Sequence, residues 1–158
     1  MSLVRLLYVS HLTSECGPDE MRDIQAVSRR KNRVRGVTGA LCFSAKGFLQ
    51  CLEGPVDAVN ELYRSIARDD RHSDVTLLDY TGIKRRDFGR WSMAFIRDDE
   101  LDAKVLAKIR GSRTFDPFDL APGEALDFLR EITREQADFL KRQQAAIERR
   151  AVRPRGAA

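Results

Sequence analysis

An α+β fold, with strands and helices in the order β-α-β-β-α-β-β and a helical extension after them, is what this sequence predicts. Three observations carry the prediction. Short runs rich in Leu, Val and Phe are bounded by turn residues, as strands are. Two segments between them repeat apolar residues at helical spacing. Glycine and proline stand where helices start and stop. The chain has 158 residues, 42% of them hydrophobic and 33% charged, which supplies one core with an appendage and excludes a disordered chain.

Residues 3–11, LVRLLYVSH, read as the first strand. A helix over 18–34 follows: Pro18 suits its first turn, Met21, Ile24, Val27 and Ser28 recur at helical spacing, and Gly36 stops it. Residues 37–44 and 48–53 are apolar segments separated by Ala45-Lys46-Gly47, a β-hairpin pattern. Gly54-Pro55 opens a second helix, with Val56, Val59, Leu62, Tyr63 and Ile66 on one face, and Asp69-Asp70-Arg71-His72 ends it. Further strands lie near 75–83 and 91–97. The first six elements form a ferredoxin-like arrangement, with two helices side by side on one face of an antiparallel sheet and the fifth strand as an addition. Beyond it, Leu101, Val105, Leu106 and Ile109 mark a short amphipathic helix over 100–110. Pro117, Pro122 and Gly123 form a connector, and Leu126, Leu129, Ile132, Phe139, Leu140 and Ile147 mark a long helix over about 124–150. Both helices must bury a face, on the free side of the sheet or against a partner. The chain thus divides into residues 1–97 and an extension, residues 98–158.

Composition excludes several function classes. No apolar run approaches the length of a membrane span, and no signal peptide precedes Leu3, so a soluble, cytoplasmic protein is expected. Cys16, Cys42 and Cys51 are odd in number and lie outside any zinc pattern, which reads as reduced thiols in a packed protein. With only His11 and His72, a His-rich metal site is excluded. The net charge of +4 gathers partly at Arg149, Arg150, Arg153 and Arg155, a tail read as a solvated end rather than a nucleic-acid arm.

Strand parity supplies the first functional clue. Val4, Leu6 and Tyr8 share one face of the first strand, Phe48, Gln50 and Leu52 one face of the third, and Trp91, Met93 and Phe95 one face of the fifth. With these sets turned toward the helices, Gln50 is an amide inside an apolar layer, which is costly without partners. The Tyr8 hydroxyl cannot use up both donors and both lone pairs of the amide, whereas a ligand with a polar edge would. The groove between the helices is the second clue. Ile24 and Ile66 face each other across it, flanked by Ser28 and Asn32, with Asp69, Arg71 and His72 at one end. Apolar walls with a few polar groups form a small-molecule slot, and they equally form ordinary helix-to-sheet packing. The residues alone leave both readings open.

A wider pattern bears on them. Arg5-Leu6-Leu7-Tyr8-Val9-Ser10, Ser28…Asn32, the hairpin Gly36-Val37-Thr38-Gly39-Ala40-Leu41…Phe48-Leu49-Gln50-Cys51-Leu52-Glu53-Gly54, Asp69-Asp70-Arg71-His72, Arg86-Asp87-Phe88 and Trp91-Ser92-Met93 together resemble the BLUF family. The resemblance covers residues 3–97 with order and spacing intact. It implies a blue-light photoreceptor that holds FAD, or sometimes FMN or riboflavin, noncovalently between the two helices. It implies that Tyr8 is the electron-donating tyrosine and Gln50 the photoactive glutamine, with Trp91, Met93 and Ser28 near that glutamine. Asn32 matches the residue bonding the pyrimidine side of the flavin, and Ile24 and Ile66 match its clamps. Asp69, Arg71 and His72 match positions at its polar rim. Lys31 departs from the pattern, since Asn or His is common there; it is a flavin contact or a solvent-facing side chain.

The same resemblance implies a non-enzymatic switch. Light rearranges Gln50, strengthens its bond to the flavin and shifts absorption to the red, and the sheet passes the change to the C-terminal helices. No effector domain fits in residues 98–158, so a separate effector or regulator protein is the expected partner, and a dimer or larger oligomer is expected too. An enzyme on the same fold lacks support: the Gly-rich phosphate cradle and paired carboxylates are absent. A plain interaction module acting through the basic tail is the remaining alternative.

Overall fold

The computed structural model describes residues 2–100 and 115–152. A five-stranded mixed sheet lies between two helical layers. Its strands are β1 (Leu3–Leu12), β2 (Thr38–Phe43), β3 (Gly47–Pro55), β4 (His72–Ile83) and β5 (Ala94–Arg97), in the order β4-β1-β3-β2-β5. The first four strands pair antiparallel, as the ferredoxin-like reading requires, and β5 adds on parallel to β2. Helices α1 (Pro18–Arg35) and α2 (Val56–Ala67) cover one face. The long helix α3 (Pro122–Val152) crosses the other.

The helix limits follow local chemistry. Pro18 is the first residue of α1, and the Glu20 carboxylate reaches back to accept from the Gly17 N–H at 3.0 Å. Gly36 ends α1 in the left-handed conformation, φ 67°, which a side chain would oppose. Pro55 closes β3 and caps α2.

Alternation along the strands builds two cores. Val4, Leu6, Tyr8, Leu41, Phe43, Phe48 and Leu52 point to α1 and α2. Leu7, Val9, Ala40, Cys42, Leu49, Cys51, Ala94 and Ile96 point the other way, to Ala125, Phe128, Leu129 and Ile132 of α3. The first half of α3 therefore buries its apolar side on the free face of the sheet, whereas Phe139, Leu140 and Ile147, expected on the same apolar face, stay exposed. The expected helix over 100–110 lies outside the described residues, apart from Glu100 at the end of a 3-10 turn. Among the described residues no helix is long and apolar enough to cross a membrane.

The β2–β3 pairing leaves no room for a side chain at Gly39. A Cβ there would lie 2.0 Å from the Cys51 carbonyl oxygen. Gly39→Ala is expected to destabilise the fold by on the order of 3–5 kcal/mol, because backbone rather than a flexible side chain must give way. Urea melts of the two proteins test it, and equal midpoints would contradict it.

Candidate functional site

Parity places Tyr8 and Gln50 side by side. They are register partners on adjacent strands, both buried, and the Tyr8 hydroxyl donates to Gln50 Oε1. The Gln50 amide nitrogen donates to Met93 Sδ at 3.4 Å, a weak bond. The pair forms one wall of a cavity of about 130 Å³ under α1 and α2. One water needs only about 10–15 Å³ of such space. Ile24, Ser28, Lys31 and Asn32 of α1, Ile66 of α2, and Asp69, Arg71 and His72 after it all line the same cavity. Lys31 is exposed at its edge.

The polar groups divide into satisfied and unsatisfied. Arg71 grips Asp69 through Nε at 2.9 Å and its backbone N–H at 3.0 Å, and these bonds hold the Asp69 carboxyl below the usual carboxylate range. The pair forms a charge-balanced end to the slot. Asn32 donates through Nδ2 to the Ser92 carbonyl at 3.1 Å, while its buried Oδ1 has no partner among the described residues. An unpaired buried acceptor costs about 1–3 kcal/mol, which a ligand N–H would recover. Burial raises the Tyr8 hydroxyl far above its ordinary range, so Tyr8 is a neutral phenol at any physiological pH.

His72 sits behind Tyr8, their ring centres 6.3 Å apart, with Nδ1 at 2.8 Å from Ser10 Oγ. Burial pushes its imidazole down to about 4. The unfolded chain takes up this proton near 6.5, so between the two values it binds more protons than the folded one. Stability therefore falls as pH drops through that window, by at most about 1.4 kcal/mol per unit. Urea melts at pH 7 and pH 5 are expected to show a larger loss for the wild type than for His72→Gln; equal losses would contradict this.

Residues 3–94 match the BLUF family, sensors of blue-light using FAD. The chain belongs to it. A relative, the blue light- and temperature-regulated antirepressor BluF of Escherichia coli (strain K12), is 34% identical over 109 residues, covering 64% of this chain. The chain spans only 27% of that protein. Among solved structures, BlsA in its ground state is 31% identical with a TM-score of 0.73, the match covering 82% of this chain and 86% of that one. The BLUF protein BlrB in its dark state is also 31% identical, TM-score 0.67, covering 82% of this chain and 96% of that one.

FAD is the cofactor of this BLUF protein, and the chemistry of the residues lining the cavity suits a flat ring with a polar edge. Ile24 and Ile66 offer flat apolar walls, Asn32 Oδ1 an unused acceptor, and Gln50 the hydrogen-bonding capacity left by Tyr8 and Met93. Sequence reasoning missed four lining residues: Val27, Leu41, Leu62 and Ser65. The signals of three of them were present. Val27 follows Ile24 by three, Leu62 precedes Ile66 by four, and Leu41 is the hairpin partner of Gln50.

The expected face of Trp91 is corrected. The fifth strand begins at Ala94, not at residue 91, so two-residue alternation does not reach back to Trp91. Trp91 lies in a loop and packs on the α3 side, while Met93 and Phe95 face α1 and α2. The Trp91 side chain does not line the cavity, and its backbone carbonyl accepts from the Gly39 N–H of β2 at 3.1 Å.

Proposed function

We propose that this BLUF protein is a light-driven switch in which Tyr8 and Gln50 carry the photochemistry and α3 passes the result to a separate protein. The observation that carries this reading is the Tyr8–Gln50–Met93 chain of hydrogen bonds along the cavity wall.

Bound FAD supplies the absorption of blue light and, once excited, a strong oxidant. Tyr8 is the nearby donor. Its buried phenol is neutral, and a phenol that loses an electron becomes a strong acid. The proton has one short path, along the O–H bond to Gln50 Oε1. Gln50 is suited to receive it and then to change, because the two ends of a carboxamide have nearly the same shape and opposite hydrogen-bonding character. Return of the electron and of a proton then restores the Tyr8 phenol, and rotation of the Gln50 amide, a tautomeric change, or both leave donor exchanged for acceptor toward Tyr8 and Met93. The weak bond to Met93 sulfur is the easiest to release. Asn32, the two isoleucines and the Asp69–Arg71 pair hold and orient the ring. Met93 leads directly into β5, whose Phe95 carbonyl accepts from Gln136 of α3 at 3.3 Å. The α3 layer thus lies one strand from the switch.

Two observations support action on a separate protein. Phe139, Leu140 and Ile147 on the far half of α3 are 48–62% exposed, an apolar surface that a regulator or a second copy would cover. The Escherichia coli relative is an antirepressor, and by analogy this chain acts on a regulator rather than on a substrate. The test is the visible absorption of the FAD-loaded protein before and after blue light. A red shift that reverses in the dark is expected. A bound flavin with no shift, or no uptake of FAD, would contradict the reading.

A further inference from the structure

Strand β3 shows a different residue to each face of the sheet. Gln50 looks to the flavin side, and Glu53, three residues on, looks to the α3 side. Glu53 is fully buried, and its carboxylate accepts from Arg5 Nε at 3.1 Å and from the backbone N–H groups of Asp87 and Phe88 at 3.1 and 2.9 Å. Arg5 Nη2 goes on to Asp87 Oδ2 at 2.6 Å. That same oxygen takes Arg130 of α3 through Nη2 at 2.6 Å and Nε at 2.9 Å. Four charges of alternating sign thus run from the strand of Gln50 to the C-terminal helix.

The loop carrying Asp87 touches the flavin site with its other end. Its Ser92 carbonyl accepts from Asn32, and Met93 accepts from Gln50. Arg86 clamps its start to the Gly36 and Glu53 carbonyls at 2.7 and 3.2 Å. Gln50 and α3 are thus bonded to opposite ends of one loop. The outer pair is the weak member of the chain. The Asp87 and Arg130 side chains are 30% and 39% exposed, so water competes for them, whereas Glu53 has no such alternative.

Resting on the Tyr8–Gln50 switch, we propose that the Asp87–Arg130 pair, backed by Arg5 and Glu53, is a latch that holds α3 on the sheet in the dark and loosens in the light. Arg130 and Asp87 are positioning residues and take no part in the photochemistry. The test follows hydrogen exchange of the α3 peptide 126–132 in the full FAD-loaded chain, dark and lit, beside its visible spectrum. All variants are expected to shift red as the wild type does. Light raises exchange in the wild type. In Arg130→Met, exchange in the dark already matches the lit wild type and light changes it no further. Arg130→Lys keeps roughly half of the light–dark difference, a point charge replacing a two-bond fork. Should Arg130→Met fail to fold, Asp87→Asn is read in its place with the same expected result. A full light–dark difference in Arg130→Met overturns the latch, as does a wild type that shifts red with α3 unchanged. A wild type with no red shift removes the switch and the latch with it.

Discussion

Gln50→Leu is expected to bind FAD and to lose the light-induced red shift entirely. Leucine fills nearly the same space in the apolar layer and offers no hydrogen bond. Tyr8 then has no acceptor, and Met93 no donor. The stability cost is small beside the functional one. One buried hydroxyl goes unpaired, at about 1–3 kcal/mol, partly offset by an apolar side chain in apolar surroundings. Absorption spectra in the dark and under blue light check it. A red shift of wild-type size in Gln50→Leu would show that the chemistry runs through some other group.

Tyr8→Phe is the second large effect. It keeps the ring in its buried place against Tyr63, at 5.7 Å between centres, and removes the hydroxyl. Without the O–H bond, the transferable proton and its path to Gln50 are both gone. The expected result is bound flavin whose fluorescence rises, because quenching by the tyrosine is lost, together with a red-shifted state reduced to background. Steady-state fluorescence and light–dark absorption check the two halves. Unquenched fluorescence with a normal red shift would separate electron donation from switching and contradict the account. The two variants differ in a useful way: Gln50→Leu leaves the donor and removes the receiver, whereas Tyr8→Phe does the reverse.

Much of this was legible in the sequence, because regular alternation is. In β1 and β3 the period of two holds without a break. Val4, Leu6, Tyr8, Phe48, Gln50 and Leu52 therefore fall on the face that parity assigns. Helical spacing similarly brought Ile24, Ser28 and Asn32 to the cavity on α1, and Ile66 on α2. Trp91 was misread for a physical reason. Parity has meaning only inside a strand, and residues 84–93 are a loop, tied down by Arg86 and by the donors to Glu53. Glu53 itself looked like one acidic residue within a motif. That it is fully buried and holds two loop N–H groups depends on contacts more than thirty residues away, which no local pattern encodes. The pairing of Asp69 with Arg71 is a different case: it is local, two residues apart, and depends on the turn that closes one side chain on the other.

The central claim is that light changes the hydrogen bonding of the Gln50 side chain. The light-minus-dark infrared difference spectrum of FAD-loaded protein, recorded with and without isotopically labelled glutamine, tests it most directly. Side-chain amide bands that shift with the label in the wild type and vanish in Gln50→Leu are expected. A wild type that turns red under blue light with no label-sensitive amide band would contradict it.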